Sequence, residues 1–238
     1  MLVSAAVCPH PPMLVPEIAG PSRQRLAPLH AAALSALDAV RATEPELLVI
    51  VGAGPATDVD RQVAAVDFAQ FGVDHVVRLR GVDSGVAGDA SLPLSLSIGV
   101  WLVAEGGWTG AVTTATIDAA ASAEECVRVG AELADRADRV ALLVMSDGTA
   151  CRSEAAPRPY DSRAEAFDSD IAAALAAGDP EAILALDGSL ARELGVEGLA
   201  ALDVLAGAAG DAVVDTDVTY DDAPFGVGYV VAVWERHG

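Results

Sequence analysis

The segment Cys8-Pro9-His10-Pro11-Pro12 directly follows a short apolar run, and it is the first place in this chain where residues suited to chemistry stand together. An imidazole among prolines could ligate a metal or hold a proton near neutral pH, and it could equally hydrogen-bond a loop carbonyl. Cys8 stands two residues before His10, so in an extended chain the two share a face. That spacing allows a Cys–His nucleophile or a small buried thiol. Asp58 and Asp60 follow a second apolar run, and Asp147 follows a third within Ser146-Asp147-Gly148-Thr149-Ala150. Together with His10 these carboxylates would make an oxygen-rich site for Mn²⁺ or Mg²⁺; singly, they are turn and cap residues.

The elements that must position these residues alternate between strand and helix. Residues 2–8 read as a buried strand ended by Pro9, residues 21–41 as an amphipathic helix, and residues 47–51 as a second buried strand stopped by Gly52-Ala53-Gly54-Pro55. These form a parallel strand–helix–strand unit. A hairpin is expected within residues 63–79, a helix over 92–105 and a strand over 109–117. Ser122-Ala123-Glu124-Glu125 is a capping box that opens a helix reaching about residue 136. A buried strand over 140–145 then leads into the Ser146 turn. Phe167, Ile171 and Leu175 mark one face of a helix that Gly178 can end, and Asp179-Pro180 caps the next. An apolar helix over 199–209 precedes two strands, 212–220 and 227–234. The expectation is one α/β domain, residues 1–238, with a central mixed sheet flanked by helices. Ligands in such folds gather at the carboxyl ends of strands, here 8–12, 52–60 and 146–150.

Three groups of residues, in this order along the chain, carry a resemblance. His10-Pro11-Pro12 with Pro16-Glu17 after a first strand resembles the opening of the class III extradiol ring-cleavage dioxygenases of subunit-B type, whose fold the Memo-like proteins share. Ser146-Asp147-Gly148-Thr149-Ala150, with Tyr160-Asp161 and Phe167-Asp168, is similar to that family's Gly-Asp-Leu-Ser-His turn and its downstream pairs. Tyr220 with Ala223-Pro224-Phe225-Gly226-Val227-Gly228-Tyr229 resembles the strand pair that closes the fold. The resemblance implies an Fe(II) held by two His and one carboxylate, a further acid/base His, and a homodimer. It puts His10 on the first metal ligand and Glu197 on the carboxylate, with Glu193 an equal competitor. The second His position reads Gly52-Ala53-Gly54-Pro55, and the acid/base position reads Ala150. The expectation is a divergent member with a depleted metal site. It would bind a small molecule, aromatic ones included, in a cleft near His10 that Cys8, Asp58, Asp147 and Thr149 could help to line. The alternative is a non-catalytic binding or assembly module on the same fold.

Composition excludes several classes. All 14 basic residues are Arg, so a Schiff-base lysine and a phosphate-loop lysine are both ruled out. A formal charge of −21 repels nucleic acid and anionic membrane surfaces. Cys8, Cys126 and Cys151 are widely spaced and odd in number, which argues against a disulfide framework and fits a reducing compartment. Residues 1–12 lack a basic leader region, and residues 92–104 are too short to cross a bilayer, so a cytoplasmic protein is expected. Arg152 and Arg158 could receive an anion or form surface ion pairs. His30, His75 and His237 read as structural or exposed.

Overall fold

The period-two alternation of the apolar strands divides their side chains between two helical layers. In the computed structural model, β1 (Leu2–Cys8), β2 (Leu47–Gly54) and β7 (Val140–Met145) lie at the centre of a seven-stranded sheet that also holds β3 (Asp58–Arg61), β6 (Ala111–Asp118), β8 (Val214–Asp222) and β9 (Tyr229–Arg236), in the order β3-β6-β2-β7-β1-β9-β8. The structure describes residues 1–81, 85, 88, 89 and 91–237, without the side chain of Asp60. Leu48 and Ile50 of β2 and Leu143 and Met145 of β7 face one layer, built from α2 (Arg23–Ala42), which follows the one-turn helix α1 (Pro16–Ala19), and α3 (Leu94–Glu105). Val49, Val51, Leu142 and Val144 face the other, built from α4 (Ala123–Ala134), α5 (Ala164–Ala177) and α8 (Leu199–Ala209). All eight side chains are fully buried, each contributing roughly 1.5–3 kcal/mol by removal from water.

The pairs β1–β7, β7–β2 and β2–β6 (Ala111–Asp118) are parallel. The edges are antiparallel: β3 (Asp58–Arg61) pairs with β6, β9 (Tyr229–Arg236) with β1, and β8 (Val214–Asp222) with β9. The sheet is therefore mixed, and the chain forms one α/β domain. β1 and β2 run parallel as expected but do not touch, because β7 returns to lie between them. The expected hairpin is a separate two-stranded sheet, β4 (Ala65–Asp67) with β5 (Val76–Arg78). No helix among the described residues is long and apolar enough to cross a membrane.

Three departures from the sequence reading have local causes. β2 continues through Gly52 and Gly54 instead of stopping there. A Cβ on Gly52 would lie 2.4 Å from Ser95 Oγ, and one on Gly54 would lie 2.4 Å from Thr116 Cγ2, so these glycines let neighbouring segments approach a strand. Asp58 opens the edge strand β3 opposite Thr116, where a turn or cap was expected. A short helix, α7 (Gly188–Leu194), follows α6 (Pro180–Leu184), its N-terminus capped by the Asp187 carboxylate accepting from Ser189 and Leu190 N–H.

Elsewhere the expected signals operate. Ser122 Oγ accepts from Glu125 N–H at 3.2 Å at the start of α4. Gly178 ends α5 with a φ of 62°. The helix α4 packs against α8 at very close range. A Cβ on Gly130 would lie 2.1 Å from Val204 O, and one on Gly207 would lie 2.3 Å from Val127 O.

Candidate functional site

His10 leaves the end of β1 and is 2 % exposed. Its backbone N–H donates to Asp147 Oδ1 at 2.7 Å, and its Nδ1 lies 3.5 Å from the same oxygen, without a hydrogen-bond partner. On the other side, Nε2 stands 3.8 Å from Glu197 Oε2, a charge contact longer than a hydrogen bond. Burial works against a charged ring, but the Asp147 carboxylate, and after it Glu197, outweigh burial and raise the His10 pKa above 6.5. Burial pushes the Asp147 carboxyl up, against the pull of His10. Glu197 is held below the usual carboxylate range by His10, yet its side chain is 74 % exposed, so solvent screens this contact.

The turn that carries Asp147 is tied down from below. Asp168 of α5, 2 % exposed, accepts from Thr149 N–H at 2.7 Å and from Thr149 Oγ1 at 2.9 Å, and Arg152 Nη1 lies 3.6 Å from it. Gly148 and Gly228 make room for this carboxylate, since a Cβ on either would lie 2.5 or 2.2 Å from it. Asp147 N–H in turn donates to Glu197 O at 2.6 Å. The segment before α8 can lie on the end of β7 because Gly198, at φ 123°, has no side chain to strike Ser146 Cα. These bonds bring Glu197 to His10. Glu193, its competitor on sequence, instead meets Arg163 at 3.0 Å.

His10 and Glu197 open into a cavity of about 550 Å³ at the carboxyl ends of β1, β2 and β6. Ala53, Gly54 and Ser95 line one side, and the first residues of α4 line another. Arg192 of α7 and Leu199, Ala200 and Asp203 of α8 complete it, with Leu94, Leu184 and Val196 adding apolar wall. The helical spacing of residues 199, 200 and 203 puts these three on one face of α8.

Only part of the expected cleft set meets here. Asp147 supports His10 from behind. Cys8 faces the α2–α3 layer, fully buried, and burial pushes its thiol up to about 12, so it is a core residue rather than a nucleophile. Thr149 is fully buried and bonded to Asp168, away from the cavity. Asp58 is exposed on edge strand β3, four strand spacings or about 19 Å from β1, so it does not join His10. The Asp60 side chain lies outside the described residues. Arg152 and Arg158 serve the scaffold: Arg152 pairs with Glu165 and Asp168, and Arg158 donates to the Arg192 and Glu193 carbonyls. His30 stacks near Trp101, His75 meets Glu17 and His237 meets Asp215. Arg192 and Asp203 went unnoticed in the sequence. The signal for Asp203 was a lone carboxylate in an otherwise apolar eleven-residue helix.

An iron held by two His and one carboxylate does not fit these residues. His10 and Glu197 supply one imidazole and one carboxylate, and no second histidine among the described residues lines the cavity. Among the described residues, no group of three His, Cys, Asp or Glu is placed to hold a metal ion.

Fold and site together define an α/β domain with a strand-end cavity beside a buried histidine backed by a half-buried aspartate. The same fold occurs in the uncharacterized protein JW3007 from Escherichia coli K12, whose crystal structure aligns over 98 % of this chain and 99 % of that one with a TM-score of 0.52. The identity is 16 %, so the likeness is one of fold. No family model and no curated protein matches the chain.

Proposed function

We propose that this chain is a divergent relative of the class III extradiol dioxygenases of subunit-B type, which binds a small molecule in the cavity beside His10 and does not perform iron-dependent ring cleavage. One observation carries the reading: a buried imidazole, biased toward its charged form by Asp147, sits at the edge of a 550 Å³ cavity. A cavity of that size lies in the usual range for a small-molecule site, and its wall combines apolar side chains with several polar groups. An imidazolium there donates a hydrogen bond to a ligand oxygen. The motif order from His10 to Tyr229 supports the family, while the wall at Ala53 and Gly54 argues against its iron chemistry. On the same resemblance the protein is a homodimer, and its three widely spaced cysteines suit a cytoplasmic compartment.

The test is metal content by mass spectrometry on protein purified anaerobically and offered Fe(II), beside oxygen uptake with catechol. The expected result is well under one iron per chain and no oxygen uptake, with aromatic probes still raising the melting temperature of the wild type more than that of His10→Ala. About one iron per chain, lost in His10→Ala and accompanied by oxygen uptake, would restore the oxygenase reading and overturn this one.

A further inference from the structure

Asp203 is a carboxylic acid in the wrong surroundings for one. It lies on α8 among apolar residues, is 8 % exposed, and lines the cavity. Among the described residues it accepts no hydrogen bond and forms no ion pair, so only the water of the cavity is left to meet its carboxylate. The N-cap aspartates Asp179 and Asp187 each accept two backbone N–H groups, and buried Asp168 accepts two donors from Thr149. Asp203 departs from this pattern. Arg192, the guanidinium of the same cavity, is exposed on α7 and makes no ion pair with it.

A scaffold requirement does not explain the residue. Its neighbours on the cavity face of α8, Leu199 and Ala200, are apolar, and Leu or Ala at 203 would continue that face. A partner for Asp203 can reach it through the cavity, in place of water. Resting on the small-molecule reading above, we infer that Asp203 is the specificity-determining anchor of this cavity and receives the protonated amine of a small, otherwise largely apolar ligand. An ammonium fits better than a neutral donor, because it returns both a hydrogen bond and the compensating charge that burial removed. The protein's own field favours the same choice, since a net charge of −21 concentrates cations around it. The surrounding leucines, valine and alanines suit the carbon body of such a molecule.

The burial of Asp203 supports this assignment in a second way. Desolvation pushes its carboxyl up to about 6, so near pH 7 it is ionised yet poorly stabilised, the state that gains most from a cation.

The experiment is titration calorimetry of the full chain at pH 7.5 with three probes of one shape and different charge: benzylamine, benzyl alcohol and benzoate. Phenethylamine and butylamine extend the amine series. Wild-type protein should bind at least one amine about tenfold or more tightly than the alcohol or the carboxylate, the scale of one buried charge-assisted contact. Asp203→Asn should remove that preference and leave benzyl alcohol affinity within about twofold, because the apolar wall is untouched. Asp203→Leu should do the same, and both variants should melt no lower than the wild type. Alcohol or carboxylate binding as tightly as the amines overturns the amine assignment and leaves the small-molecule cavity standing. Retention of the amine preference in Asp203→Asn overturns the role of Asp203. Binding of none of the probes overturns both. The charge comparison in wild-type protein needs no variant, so it decides the matter even if a substitution fails to fold.

Discussion

At His10, burial and two carboxylates pull the ring in opposite directions, and a titration can separate them. The imidazole should titrate with a midpoint above 6.5 by proton NMR, because Asp147 outweighs desolvation. Asp147→Asn should drop the midpoint below 6.5, since the mostly exposed Glu197 alone cannot offset burial. A folded pKa above the unfolded value means a stabilising contribution present below 6.5 and lost as pH rises through the folded pKa. Asp203 has the opposite sense of charge and the same direction of shift. Its carboxyl rises from 3.8 to about 6, so the folded protein holds a proton there that the unfolded chain has released. Stability should therefore fall between pH 4 and 6, by at most about 3 kcal/mol and by less to the extent that cavity water screens the group. The titratable groups around it are Cys126 of α4 and, in the same cavity, His10, Arg192 and Glu197. Urea denaturation of Asp203→Asn across this range should show the slope removed and stability above pH 6 increased. Thr149→Val should cost about 1–3 kcal/mol, because it removes a donor from the buried Asp168.

Between elements, the closest approach is where α4 meets α8, and glycine makes it possible. Gly130→Ala would place a methyl 2.1 Å from the Val204 carbonyl, which the backbone can relieve only by separating the helices. The expected loss is about 3 kcal/mol by chemical denaturation, at the upper end for an overpacked contact. The same change would move Asp203 relative to the start of α4, so amine binding should weaken with it. Most elements were legible because long apolar runs are bounded by Pro, Gly or a cap residue, as at Pro9, Ser122 and Asp179. The edge strand β3 was not, since Asp58-Val59-Asp60-Arg61 is polar and becomes a strand only by pairing with β6. Nor was α7, whose seven residues are too few to display a helical period.

Over the whole molecule, charge and fold act on different quantities. A charge of −21 repels itself in any compact state, and raising NaCl from 10 to 200 mM should raise the melting temperature by screening it. The two-layer core depends on area instead and should respond little to salt. At this scale the candidate site was half legible. His10 was visible because it ends the first strand between prolines, and the lack of a histidine at the end of the second strand was visible at Gly52-Ala53-Gly54-Pro55. Its carboxylate partners were visible as residue types but not as neighbours. Asp58 and Asp147 looked equivalent on sequence, yet one lies on the sheet edge and the other under His10.

Taken alone, the sequence determined the order and type of the major elements and the two-faced burial of the central strands. These follow from periodicity and residue identity, which are local properties. The tertiary structure decided the rest: that Asp147 rather than Asp58 supports His10, that Glu197 rather than Glu193 stands beside it, and that Asp203 is buried with no hydrogen bond or ion pair among the described residues. His10 and Asp147 are 137 positions apart, and α8 meets the ends of β1 and β7 only after the sheet has closed. Contacts at that separation depend on the strand order β2-β7-β1 and on glycines that let backbones touch, and no local pattern encodes either.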